Sequence, residues 1–243
     1  MRVSRSWWVA LLWLIWPVVV HAVPIPEDTA QLILVTSADW RATTGRLQRY
    51  ERSGVTWKPV GDPWPIVLGS GGLGWGQGLA APAAGGPTKR EGDGRSPAGV
   101  YRLNETYGYS SAPPPGTAVT YRALTAADRC VDDPQAREYN RIVSIGPDRP
   151  ETWSSAEVMR RDDELYRWVI VVAHNSDPPR PAGGSCIFLH VWAGAASPTA
   201  GCTAMARERI ETLLSWLRPE AEPVIVQLPE AVYKVLRSGW GLP

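Results

Sequence analysis

The chain has 243 residues, 44% hydrophobic and 20% charged, the composition of an ordinary globular protein with room for one large domain or two small ones. Its formal charge is +1 with no block of like charges, which excludes the electrostatic footprint of a nucleic-acid binder. Thirteen Trp stand against one Phe, and Gly and Pro number 23 each, so turns are frequent and a β-rich fold is expected.

At the N-terminus, Arg2 and Arg5 precede an uncharged, mostly apolar run from Trp7 to Val20. Val20-His21-Ala22 then places small or apolar side chains where a signal peptidase reads, completing the plan of a secretory signal. The run is shorter than the roughly 20 residues of a membrane span, and Pro17 interrupts it. Residues 1–22 are therefore expected to be removed, leaving a domain over 23–243 in the periplasm or at the cell surface. Membrane contact would be limited to the signal segment. Without Arg2 and Arg5 the mature chain carries 23 basic against 24 acidic residues and is close to neutral.

Gln31 to Thr36 is a compact apolar run and reads as a strand. Arg46 to Arg52 and Val55 to Val60 alternate in character around Ser53-Gly54, a hairpin signal, and Pro65 to Leu68 suggests another short strand. Gly69 to Gly99 reads as a long Gly-rich loop. A strand is expected over Gly99 to Leu103, a Pro-rich loop over Ser110 to Gly116, and a short charged helix over Ser154 to Tyr166. Trp168 to Ala173 and Cys186 to Val191 are the strongest strand signals. From Thr203 to Leu217, Ala206, Ile210, Leu213, Leu214 and Leu217 follow a 3.6-residue period and predict an amphipathic helix. A last strand over Pro223 to Leu228 and a short helix over Pro229 to Leu236 close a chain without internal repeats.

Cysteine occurs three times, at 130, 186 and 202. In an oxidising compartment two thiols tend to pair and one is left over, and a Cys130–Cys186 bridge would leave Cys202 free. Cys202 follows Ser197, Thr199 and Gly201 in a tight loop, immediately before the predicted helix. A helix N-terminus would favour the thiolate, and its amides could bind an oxyanion. His190 shares a strand face with Cys186, Phe188 and Trp192 and opens into a Gly/Ser/Pro loop leading to Cys202. Cys186 is a poorer partner, about 13 Å away along a straight strand. His174 closes the preceding strand and falls near the same site. Zinc held by His174, His190 and Cys202 is disfavoured because no short-spaced ligand pair exists, so neither metal nor cofactor is expected.

His190, then Thr199-Ala200-Gly201-Cys202, resembles the L,D-transpeptidase catalytic domain (YkuD type), whose signature is a His, a loop, then Ser/Thr-x-Gly-Cys. Asp93-Gly94-Arg95-Ser96-Pro97-Ala98-Gly99-Val100-Tyr101 resembles the family's segment with Thr/Ser-Pro-x-Gly before a strand, and the likeness extends from Ile33 to Leu228. Two positions depart from the usual pattern. Ala200 stands where His is frequent before the Gly-Cys, and Ala204 where Arg or Asn is frequent after it. Arg95 and Arg207 are alternative carboxylate contacts.

The resemblance implies a mostly β (β-rich α+β) sandwich with a helix following the catalytic Cys. It also implies acyl transfer through a Cys202 thioester on peptidoglycan stem peptides, with His190 as base. Gly201 and Cys202 would supply oxyanion N–H groups, and a backbone carbonyl or Ser197 would orient His190. An amine acceptor gives a 3→3 cross-link or a protein attachment, and water makes the enzyme a hydrolase. A non-catalytic wall-binding module is the reading that a buried or bonded Cys202 favours.

Overall fold

The computed structural model describes residues 25–83, 85–103, 105–148 and 150–243, so the predicted signal segment over 1–22 lies outside the described residues. The uninterrupted apolar run near the start becomes β1 (Gln31–Ser37), in which Leu32, Ile33 and Val35 are fully buried. Such burial on both faces needs a partner strand on each side. β14 (Val224–Pro229) supplies a parallel one and β2 (Thr44–Ser53) an antiparallel one.

β2 and β3 (Thr56–Val67) form a long hairpin whose turn is Gly54-Val55, with Gly54 at φ 62°, one residue later than the sequence suggested. The two short strands expected over Val55–Val60 and Pro65–Leu68 are one strand. Pro59, Pro63 and Pro65 are tolerated because β3 pairs on its other side only at Val67, leaving most of it an edge. The Gly-rich stretch holds β4 (Gly72–Trp75), which runs parallel to β5 (Arg95–Arg102).

β6 (Glu105–Gly108), β7 (Thr120–Ala123), β11 (Trp168–Val171), β12 (Phe188–Val191) and β13 (Thr203–Met205) complete an eleven-stranded sheet in the order β4-β5-β14-β1-β2-β3-β13-β12-β11-β6-β7. Side chains of β1 and β12, far apart in that order, nevertheless share one apolar core, so the sheet curls back on itself like a sandwich. Helix α1 (Arg207–Trp216) packs on β11 and β12, with Ile210, Leu213 and Leu214 and the following Leu217 fully buried. Each such side chain stabilises the fold by about 2 kcal/mol. Helix α2 (Glu230–Leu236) lies against β14 and β1. The fold is mostly β with two helices, as the resemblance implied.

Two further elements differ from expectation. The segment after Cys202 is not yet helix: Thr203–Met205 pairs in parallel with β12, and the helix starts only at Arg207. Thr203 is β-branched and buried, and its hydroxyl donates to Gln227 Oε1 at 2.6 Å, so sheet pairing overrides the helical period there. Ser154–Tyr166 is not a helix either. Its centre is β10 (Ala156–Val158), which pairs with β8 (Asp128–Val131), itself paired with β9 (Ile142–Ser144). Met159 closes this small sheet, fully buried, with its N–H donating to Asp128 O.

Candidate active site

Strand periodicity sorts β12 into two faces. Ile187, Leu189 and Val191 enter the main core, while Phe188 and His190 face a second apolar cluster. β13 runs parallel with His190 opposite Ala204, so Cys202, two residues before Ala204, falls on the His190 face. Cys202 and His190 are 7% and 6% exposed and line one cavity of about 490 Å³ with Ser197, Thr199, Gly201, Lys89, Glu157 and Tyr166. Cys130 and Cys186 form a disulfide, leaving Cys202 as the free thiol that parity predicted.

The loop before Cys202 is held by its own polar groups. The Cys202 carbonyl accepts from Thr199 Oγ1 at 2.6 Å and Ser96 Oγ at 2.8 Å. Gly201 stands at φ 154°, and a side chain there would meet Arg95 O at 3.2 Å, so glycine lets the loop close onto β5. The thiol itself accepts from the Phe188 N–H at 3.3 Å and donates to Cys186 O at 3.5 Å. His190 Nδ1 donates to Val191 O at 2.7 Å, which leaves Nε2 with the lone pair. A backbone carbonyl thus orients the imidazole, and Ser197 does not. The Tyr166 ring meets His190 edge-on, with centroids 5.2 Å apart.

Burial governs the electrostatics. It lowers His190 to about 4, opposed by the carbonyls of Val191 and Leu165, so the ring is neutral at pH 7. Burial, reinforced by the nearby Glu157 carboxylate, pushes the Cys202 thiol well above its ordinary range, against the Phe188 N–H and Lys89. The pair is therefore thiol and neutral imidazole, with no hydrogen bond between them among the described residues. This corrects the expectation of a thiolate made by a helix N-terminus, because the helix begins five residues beyond Cys202.

The other expected residues divide. Ser197, Thr199 and Gly201 line the cavity. The Gly201 N–H, expected to bind an oxyanion, is occupied by Thr199 Oγ1 at 3.1 Å. Arg95 does not turn its guanidinium to the cavity: Nη1 donates to the carbonyls of Gly71 at 2.6 Å, Leu73 at 2.8 Å and Trp40 at 3.4 Å. Arg207 pairs with Glu211 on exposed α1. His174 is buried away from the thiol, with Nδ1 accepting from Gln77 N–H at 3.2 Å and Nε2 facing Gly183 O at 3.1 Å. Burial lowers it to about 4 as well. Both its ring nitrogens are satisfied by backbone, and among the described residues no group of three His, Cys, Asp or Glu could hold a metal ion.

Several cavity residues were not singled out from sequence, Lys89, Glu157 and Tyr166 among them. Lys89 is buried, with Nζ on Asp93 Oδ1 at 2.9 Å and Arg90 O at 3.0 Å. Tyr166 donates its hydroxyl to Glu157 Oε2 at 2.6 Å. Lys89 lies in the stretch read as a long Gly-rich loop, four residues before Asp93, and its position next to the family-like segment was the signal for it. Glu157 and Tyr166 lie within the stretch expected to be a short charged helix, where charge looks like solvation.

No curated protein matches the chain. Two solved structures do, those of the helical cell shape determining protein Pgp2 from Campylobacter jejuni and of a point variant of it. Each is 13% identical with a TM-score of 0.38, and the alignments cover 83% of this chain but 48% and 47% of those chains. The chain thus spans about half the length of the structures it matches. The L,D-transpeptidase catalytic domain (YkuD) matches residues 36–226, most of the chain, and the chain belongs to that family.

Proposed function

We propose that this protein is an exported cysteine acyltransferase acting on peptidoglycan stem peptides in the periplasm or at the cell surface, with residues 23–243 as its mature domain. The observation that carries the reading is that the free thiol, although buried as the wall-binding alternative would have it, lines one cavity with an imidazole whose Nδ1 is held by Val191 O. Cys202 is the nucleophile and His190 its base. On donor binding, Nε2 takes the thiol proton as Sγ bonds to the carbonyl of the diamino acid's L-centre. The C–N bond to the terminal D-alanine breaks, and its nitrogen leaves with the proton from His190. An amine acceptor then gives up a proton to His190 and displaces Sγ, restoring the thiol.

The Phe188 N–H already directed at Sγ supports charge on sulfur as the proton leaves. Thr199 and Ser96 act by fixing the Cys202 carbonyl, and Gly201 by keeping the loop close to β5. A neutral base and a neutral thiol in one cavity can exchange a proton without a standing ion pair. The proposal uses no metal or cofactor.

The test is incubation of the mature protein with muropeptides and mass analysis of the products. Cross-linked dimers are expected. Shortened monomers would make the protein a hydrolase on the same thioester, and binding without product would make it a wall-binding module.

A further inference from the structure

One wall of the Cys202 cavity is acidic. Glu91, Asp132 and Glu157 line it, and none of them forms a salt bridge with a described residue of the cavity. Glu91 Oε2 accepts from the hydroxyls of Tyr139 and Ser185, and Glu157 Oε2 from Tyr166. Asp132 Oδ1 is sealed from solvent and meets no hydrogen-bond donor. The two cations at the cavity are committed elsewhere: Lys89 to Asp93 at 2.9 Å, and Arg161 to both oxygens of Asp163.

Carboxylates held close together repel one another, and a buried oxygen without a donor forfeits its hydration. The Glu157 carboxyl accordingly stands above the usual carboxylate range, through burial first and then through Asp132 and Glu91, against the Tyr166 hydroxyl and the Arg161 guanidinium. An ammonium group in the cavity could donate to Glu157 Oε1, which accepts no hydrogen bond from a described residue, and its charge would offset the field that the neighbouring Asp132 carboxylate adds. The remaining lining suits such a guest. Tyr166 and Leu165 offer apolar surface for the methylene stem leading to the ammonium.

We propose that this wall is the subsite for the side-chain ammonium of the donor's diamino acid, with Glu157 as its principal contact and Asp132 beside it. The inference rests on the acyl-transfer reading: the residue whose carbonyl meets Cys202 must house its side chain in this same cavity. The acceptor amine is a poor occupant, because a carboxylate that stabilises an ammonium disfavours the free amine needed for attack. The arrangement also couples recognition to reactivity. Glu157 is one of the charges that hold the thiol proton on, so a cation docked against it offsets that field and eases ionisation of Cys202. A donor lacking the charge would leave the thiol in its resting state.

The test uses the full mature chain carrying Cys202→Ala, so that binding is read without turnover. Two probes are titrated by calorimetry: a stem tetrapeptide with a free side-chain amine on its diamino acid, and the same peptide acetylated at that amine. Acetylation is expected to weaken binding at least tenfold with Glu157 present and less than twofold in Glu157→Gln. If Glu157→Gln unfolds early, Asp132→Asn should shrink the same ratio at least threefold. Equal binding of the two peptides, an unchanged ratio in the variants, or no binding of either peptide overturns the subsite. Dimer or monomer products from the Cys202 protein, without amine discrimination, sink the subsite and leave the reaction standing. Discrimination without turnover does the reverse.

Discussion

At the scale of single residues, sequence identified the thiol and the imidazole but not their charge state. Their chemical types, spacing and resemblance to a family motif are written in the chain. Their charge depends on burial, which only the assembled sheet determines. With the thiol raised by burial and His190 lowered to about 4, alkylation of Cys202 by a small neutral reagent should be slow at pH 6–7 and climb through pH 9. A plateau of fast alkylation at pH 6–7 would show a standing thiolate–imidazolium pair and contradict the arrangement. His190→Ala should leave this substrate-free profile nearly in place while abolishing product, since it removes a neutral base. Cys202→Ala should also abolish product, at a stability cost of about 1–2 kcal/mol because the Phe188 N–H loses its acceptor. Denaturant midpoints of the variant and the parent read that cost. Arg95→Ala should cost about 2–3 kcal/mol with KM unchanged, because its guanidinium ties β4 and the Trp40 turn to β5. A raised KM at unchanged stability would return Arg95 to the substrate.

At the scale of elements, the strands with continuous apolar runs were legible, and so was the apolar stripe of α1. What failed were segments that are strand because of the strand beside them and not because of their own residue pattern. Thr203–Met205 looks helical in isolation and becomes strand because β12 is beside it. Ala156–Val158 becomes strand because Glu157 lies opposite Cys130, the residue bridged to Cys186 at the root of β12. The small sheet that carries Glu157 and Asp132 is therefore anchored to the site by one covalent bond and by Asn140, whose Oδ1 accepts from the Cys186 N–H at 2.8 Å. The bridge spans 56 residues, and a loop of that length stabilises by about 4 kcal/mol through the unfolded chain. The Cys130→Ser/Cys186→Ser double variant should lose about 2–4 kcal/mol by chemical denaturation and should lose activity more steeply than a melting shift alone explains. Full activity in a destabilised double variant would mean that the small sheet plays no part in the site.

At the scale of the whole molecule, stability should depend on pH through the two buried histidines. His174 and His190 have folded-state values of about 4, below the ordinary 6.5, so the unfolded chain binds protons that the folded one refuses. Their contribution is complete above about pH 6.5 and is lost as pH falls toward 4, on the order of 3 kcal/mol for each ring. Glu157 acts in the opposite sense, since its raised carboxyl favours the folded state at acid pH. Urea midpoints between pH 4 and 7 should rise with pH, and the slope should shrink in His174→Gln; a flat profile would mean that the rings are hydrated. The sheet order was not readable from sequence, because it joins segments nearly two hundred residues apart. β1, among the first strands, is completed only by β14, among the last. A chain delivered end-first, from a ribosome or through a pore, therefore holds β1, apolar on both faces, with one side open until residue 229 has emerged. Any compartment that makes this protein must shield that edge for nearly the whole passage, and a product cut short before β14 is a substrate for proteases rather than a smaller folded domain.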